Sequence, residues 1–229
     1  MVDGIVISDM KGITMSIKLR EPINAITHLL AAGISTIGLL VLLYFGWGQP
    51  IKLITFLVYG ISLILLFSAS GLYHAVSTKD STIMILRKFD HSAIYLLIAG
   101  SYTPICIYFF EGFWQYGMIA LIWFLAIVGI LIKIFIIKSP RWVTAGIYLL
   151  MGWLSILGVE EIIRSMPAAA ISWLVMGGLM YTIGAIIYIT KKLDFKPGIF
   201  GFHEVWHIFV ILGAFFHYYL ILRFIALVS

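Results

Sequence analysis

Charged side chains are scarce in this chain. Asp, Glu, Lys and Arg make up 11% of its 229 residues, while 62% are hydrophobic. A soluble domain carries about 25% charged residues, so composition all but excludes a soluble globular protein. It also excludes a disordered chain, which needs low hydrophobicity and high net charge. Cysteine is nearly absent too. Cys106 alone leaves no internal disulfide framework and no cysteine-rich zinc module. No contiguous basic face exists, so the net charge of +5 does not point to nucleic acid. The start lacks the basic, then apolar, then small-residue pattern of a signal peptide. None is expected, and the first apolar run is expected to serve as its own insertion signal. Low-complexity tracts and a repeat between halves are missing, which weakens a transporter of the inverted-repeat kind.

Long apolar runs are what the chain has. A helix that crosses a bilayer needs about 20 mostly apolar residues. Such runs occupy approximately 24–46, 53–75, 90–110, 114–136, 143–163, 169–190 and 204–226. Turn-forming stretches separate them, among them Gly46-Trp47-Gly48-Gln49-Pro50, Ser139-Pro140-Arg141, Ser165-Met166-Pro167 and Lys196-Pro197-Gly198. Trp47, Trp114 and Trp142 stand at run ends, as interfacial aromatics do.

Basic residues alternate between the two sides. Lys11, Lys18, Arg20, Lys79, Arg87, Lys88, Lys133, Lys138, Arg141, Lys191, Lys192 and Lys196 fall on one side; only Lys52, Arg164 and Arg223 fall on the other. Basic short loops mark the cytoplasmic face. The expected architecture is therefore an all-α membrane protein with seven transmembrane helices, the N-terminus cytoplasmic and the C-terminus outside. Residues 1–20 form a cytoplasmic lead-in, read as a short interfacial helix, and 21–229 the seven-helix domain. The expected location is the plasma (inner) membrane, multi-pass, with membrane lipids as partners. Nothing in the sequence sets an oligomeric state.

Ionisable groups at membrane depth are costly and default to function. The candidates are Glu21 and His28 in the first span, His74 in the second, Asp90 and His91 in the third, Glu160 and Glu161 in the fifth, and His203, Glu204, His207 and His217 in the seventh. The second span runs inward, so His74 lies at its cytoplasmic end. The third and seventh run outward, which puts Asp90, His203 and His207 at their cytoplasmic starts. Taken singly, a His at a helix end is most often a satisfied interfacial residue. Several at one depth point to a metal. His203 and His207 are spaced i, i+4 and share a helix face about 6 Å apart. Three nitrogens with an open fourth position form the catalytic zinc pattern. His74, His203 and His207 would supply them, Asp90 would orient or deprotonate a water at the open position, and Ser70, one turn from His74, could bond that water or a substrate carbonyl. His28 is expected to support the ligands. His217 lies about 15 Å further along its helix and cannot join the same ion, so a buried hydrogen-bonding role is expected. Glu160 and Glu161 are expected in a solvated outer loop, and Lys133 is expected to snorkel inward.

His203-Glu204-Val205-Trp206-His207 also matches H-E-x-x-H, the metalloprotease signature with Glu as general base. The extended form wants a glycine and a third histidine where Val210 and Gly213 stand, and no acidic residue follows Glu204. The protease is therefore the weaker reading.

Several stretches carry a resemblance: Asn24-Ala25-Ile26-Thr27-His28; Ser68-Ala69-Ser70-Gly71-Leu72-Tyr73-His74; Phe89-Asp90-His91-Ser92-Ala93-Ile94-Tyr95 with Ser101-Tyr102-Thr103-Pro104; Met151-Gly152-Trp153; and His203-Glu204-Val205-Trp206-His207. Over approximately 21–226 the chain resembles the hemolysin III family, the bacterial branch of the progestin and adipoQ receptor superfamily that includes the adiponectin receptors. The resemblance implies seven helices and a cytoplasmic-side Zn2+ held by His74, His203 and His207. It implies Asp90 at the metal water with Ser70 beside it, and places Asn24, His28 and His91 around the ligands. It leaves three functions open: hydrolysis of a lipid amide or ester as in ceramidases, cytolytic pore formation, and a non-catalytic membrane-homeostasis or sensor role with structural zinc.

Overall fold

The computed structural model describes residues 5–8, 14–17, 19–136 and 139–228. Among the basic residues that set the orientation, Lys11, Lys18 and Lys138 lie outside the described residues. Two short strands come first, β1 (Ile5–Ser8) and β2 (Thr14–Ile17), paired antiparallel with Ile5 opposite Ile17 and Ser8 opposite Thr14. This corrects the expectation of an interfacial helix. Ile5, Val6, Ile7, Thr14 and Ile17 are β-branched, and such residues fit a pleated surface better than a helix.

The helices are α1 (Pro22–Phe45), α2 (Pro50–Ala75), α3 (Asp80–Phe109), α4 (Gly112–Phe135), α5 (Arg141–Gly152), α6 (Val159–Ser165), α7 (Ala168–Thr190) and α8 (Phe202–Ile221). A 3₁₀ segment, Trp153–Gly158, joins α5 to α6, and a π-helical turn, Leu222–Ala226, extends α8. With α5 and α6 counted as one span, seven segments among the described residues are long and apolar enough to cross a membrane. The chain is a multi-pass integral membrane protein. Pro22 and Pro50 open α1 and α2 at the first helical position, where a missing N–H costs nothing.

Neighbours in sequence are neighbours in space: α1 packs on α2, α2 on α3, α3 on α4, and α7 on α8. Contact between α1 and α8 brings the first and last spans together. The central helix α2 buries Phe56, Tyr59, Leu63, Leu66 and Phe67, while α1 turns Leu30, Ile34, Ile37 and Leu40 outward. In water that stripe would be an unmatched apolar patch; against acyl chains it is the expected exterior. Close approach is built with glycine, as is usual between membrane helices. A Cβ at Gly177 would lie 2.3 Å from the His217 ring, and one at Gly213 would lie 2.7 Å from Tyr181, so α7 and α8 meet only because both positions are glycine.

Four details differ from what the sequence leads one to expect. The third helix starts at Asp80, ten residues before the expected 90, so Asp90 sits inside it and not at its start. Hydropathy marks the bilayer-length part of a helix and is blind to a polar extension carrying Asp80, Arg87 and Lys88. The fifth span is broken by its 3₁₀ segment, and Tyr102 of α3 braces the break. Its hydroxyl lies 3.1 Å from the Met151 carbonyl and 2.7 Å from that of Gly152, and accepts the Ser155 N–H at 2.8 Å. Glu161 is no loop residue. It is buried in α6, accepting from Arg164 at 2.6 Å and from the Glu111 N–H at 3.1 Å, while Glu160 is exposed. Lys133 is buried as well and donates to Ser139 and Thr144, each at 2.9 Å.

Candidate metal centre

His74 is the next-to-last residue of α2, and His203 is the second of α8, with His207 one turn on. Because α1 bridges α2 and α8, these helix ends converge. The ring centroids lie 5.0 Å apart for His74 and His203, 4.8 Å for His74 and His207, and 4.8 Å for His203 and His207. One nitrogen from each ring can be chosen so that all three fall within 4.8 Å of one another, a group that could hold a metal ion. His74 and His207 are almost fully buried. Nε2 of His74 has no hydrogen-bond partner among the described residues, which suits a ring nitrogen kept for a cation.

The other nitrogen of His74 is engaged. Its Nδ1 lies 2.6 Å from Oε2 of Glu21. Backbone bonds fix this pairing: the Arg20 and Glu21 N–H groups donate to the carbonyls of Ala75 at 3.2 Å and His74 at 3.0 Å. Those carbonyls belong to the last turn of α2, where no helical donor is available. Arg20 stands on the other side of the same carboxylate, its Nε 3.3 Å from Oε1 of Glu21. In the sequence alone Glu21 is only one ionisable group at membrane depth among several. The signal that would have found it is general: a metal-binding His usually hands its second nitrogen to a carboxylate, and Glu21 is an acidic residue at the same membrane level.

Asn24 lies behind Glu21. Its Nδ2 donates to Oε1 of Glu204 at 2.7 Å and to Oε2 of Glu21 at 3.3 Å. The second oxygen of Glu204 accepts the Gly201 N–H at 2.8 Å, one half of a capping box at the start of α8. Both carboxylate oxygens of Glu204 thus make structural bonds, which favours a structural role over the general-base role that H-E-x-x-H would give it.

His28 stacks on His207. Asp90 is partly buried and shares one cavity with Ser70, His74, His91, His203 and His207. Asp90 is not among the residues whose atoms converge with the three imidazoles. The cavity measures about 360 Å³ and runs from this polar end to an apolar region at Cys106, Phe110 and Trp153. His217 borders it there and donates from Nδ1 to the Gly213 carbonyl at 2.9 Å, the buried hydrogen-bonding role expected of it.

A profile of Haemolysin-III related proteins matches residues 17–218. The Hemolysin-3 homolog of Bacillus subtilis (strain 168) is 38% identical over 197 residues, covering 85% of this chain and 89% of that protein. Hemolysin-3 of Bacillus cereus is 34% identical over 208 residues, covering 90% and 92%. The adiponectin receptor protein of Drosophila melanogaster is 29% identical over 218 residues, covering 86% of this chain and 48% of the receptor. With seven spans, a histidine cluster at one end and a family match along nearly the whole bundle, the chain belongs to the hemolysin III family of membrane proteins, within the progestin and adipoQ receptor superfamily.

Proposed function

We propose that this protein is a zinc-dependent hydrolase of a lipid amide or ester. The observation that carries the reading is the position of the three imidazoles. They stand at the head of a cavity whose far end is apolar, with a carboxylate and a hydroxyl beside them. Three nitrogen ligands suit a catalytic zinc, which keeps a position open; a purely structural site prefers four protein ligands. His74, His203 and His207 would hold the ion, which would supply Lewis acidity toward water and toward a carbonyl oxygen.

The chain's own residues would do the rest. The apolar length of the cavity takes the acyl chain and leaves the linkage at the polar end, where ordered positioning lowers the barrier. Asp90 accepts a proton from the attacking water and returns it to the leaving amine or alcohol. Ser70, almost fully buried one turn from His74, donates to the substrate carbonyl. His28, packed flat on His207, and Glu21, bonded to His74, limit how the ligand rings turn.

The test is turnover. Purified, zinc-loaded protein is expected to release fatty acid from an acyl-amide or acyl-ester lipid in detergent, and Asp90→Asn to lower the rate by about 10²–10⁴. Intact substrates across a panel of both classes, with the metal retained, would contradict the proposal.

The name of the Bacillus cereus relative favours a second reading, cytolysis. Under that reading His207→Ala leaves liposome lysis unchanged; under the first it abolishes hydrolysis.

A further inference from the structure

We propose that Glu21 is the positioning residue of the metal centre. Its carboxylate holds His74 with the proton on Nδ1 and Nε2 free for the ion, and Asn24 couples that carboxylate to Glu204, at the start of the helix that carries the other two imidazoles. The inference rests on the metal-centre reading above and deepens it.

Chemistry sets the tautomer. An ionised carboxylate only accepts hydrogen bonds. With Oε2 of Glu21 at 2.6 Å, Nδ1 of His74 must carry the proton, and the lone pair is left on Nε2. That nitrogen is the one with no partner among the described residues. Glu21 addresses the opposite edge of the ring and is not in the converging set, so it acts through His74 rather than as a ligand.

The amide orientation of Asn24 follows the same logic. An NH₂ group has two hydrogens and faces two carboxylates, at 3.3 Å and 2.7 Å. Turned over, its oxygen would sit between two negative charges. The connection therefore runs from His74 through Glu21 and Asn24 to Glu204 and the Gly201 N–H. It ties α2, α1 and α8 together at the level of the imidazoles. Backbone bonds from residues 20 and 21 to the end of α2 hold the carboxylate in place independently of the metal.

Removing a carboxylate behind a metal-binding His typically costs about 10–100-fold in metal affinity. The experiment measures zinc affinity of the full chain in detergent by competition with a chromophoric chelator, alongside thermal unfolding of the metal-stripped protein. Glu21→Ala is expected to bind zinc about 10–100-fold more weakly than wild type. Glu21→Gln keeps an acceptor oxygen without charge, so its loss is expected near the tenfold end of that range, with unfolding of the stripped protein unchanged. That combination separates positioning from general destabilisation, and the Gln variant carries the test if the Ala variant does not fold. Asn24→Ala is expected to weaken binding by a smaller factor, and unchanged affinity there would remove Asn24 from the connection. Zinc bound by both Glu21 variants within roughly twofold of wild type would overturn the role of Glu21 while leaving the centre standing. A wild-type protein that takes up no zinc would overturn the centre and this inference together.

Discussion

The rings of His28 and His207 stack with centroids 3.7 Å apart and planes 16° from parallel, although α1 and α8 lie at opposite ends of the chain. His28 also meets Phe67 edge-on at 5.1 Å, so it is held between a core aromatic and a candidate ligand. What His28 gives His207 is a flat surface that limits ring rotation. His28→Phe keeps that surface and is expected to retain zinc within a few-fold of wild type. His28→Ala opens space beside His207, and is expected to lose about 1–3 kcal/mol of stability and to bind zinc more weakly. Equilibrium dialysis and thermal unfolding of the two variants check this. Equal loss in both would mean that the imidazole nitrogens matter and the ring face does not.

Glu204 and Asp90 are expected to separate cleanly. Glu204 holds Asn24 and the Gly201 N–H, so Glu204→Gln is expected to lose about 0.5–2 kcal/mol of stability through a weakened helix start, with only a modest fall in turnover. Asp90→Asn is expected to do the reverse. Steady-state rates beside melting curves decide. A Glu204→Gln protein as inactive as Asp90→Asn, yet fully stable, would restore the protease-like role for Glu204.

Tyr102 supports the break in the fifth span from a different helix. Tyr102→Phe leaves the Ser155 N–H without its acceptor and the Met151 and Gly152 carbonyls without a donor. The Met151 and Ser155 bonds are part-buried and the Gly152 bond is exposed, so the loss is expected to cost about 1–3 kcal/mol in all. The variant is expected to unfold at lower denaturant and, once folded, to bind zinc as wild type does, since among the described residues Tyr102 bonds to Met151, Gly152 and Ser155 and to none of the three imidazoles. Wild-type stability in the variant would show that the 3₁₀ segment stands without this bond.

Gly177 offers a packing test away from the imidazole cluster. A methyl group there would collide with the His217 ring, so Gly177→Ala is expected to force α7 and α8 apart at a cost of about 1–3 kcal/mol. Gly33, whose Cβ would meet nothing within 4 Å, serves as the control. Comparable melting temperatures for Gly177→Ala and Gly33→Ala would contradict the close approach.

The spans and the clustering of His74, His203 and His207 were legible in the sequence for physical reasons. Hydropathy reports burial in lipid directly, and loop charge reports the side. Once the topology is known, depth follows from helix rise, so His74 and His203 fall at one level although α3 to α7 separate them. The pairing of Glu21 with His74 was not legible. It depends on backbone bonds between a helix start and a helix end 53 residues away, and these leave no periodic trace. The early start of α3 was hidden because its first ten residues leave the apolar run. Glu161 was misplaced because its partners, Arg164 and the Glu111 N–H, make a buried acid affordable, and the second of these is invisible until α3 and α4 are packed against α6.

The most direct measurement is the metal content of the purified full chain, by elemental analysis, beside His207→Ala. The account predicts about one zinc per wild-type chain and loss of most of it in the variant, since two imidazoles hold zinc far more weakly than three. Wild-type protein without a transition metal, or a variant that keeps its zinc, would contradict it.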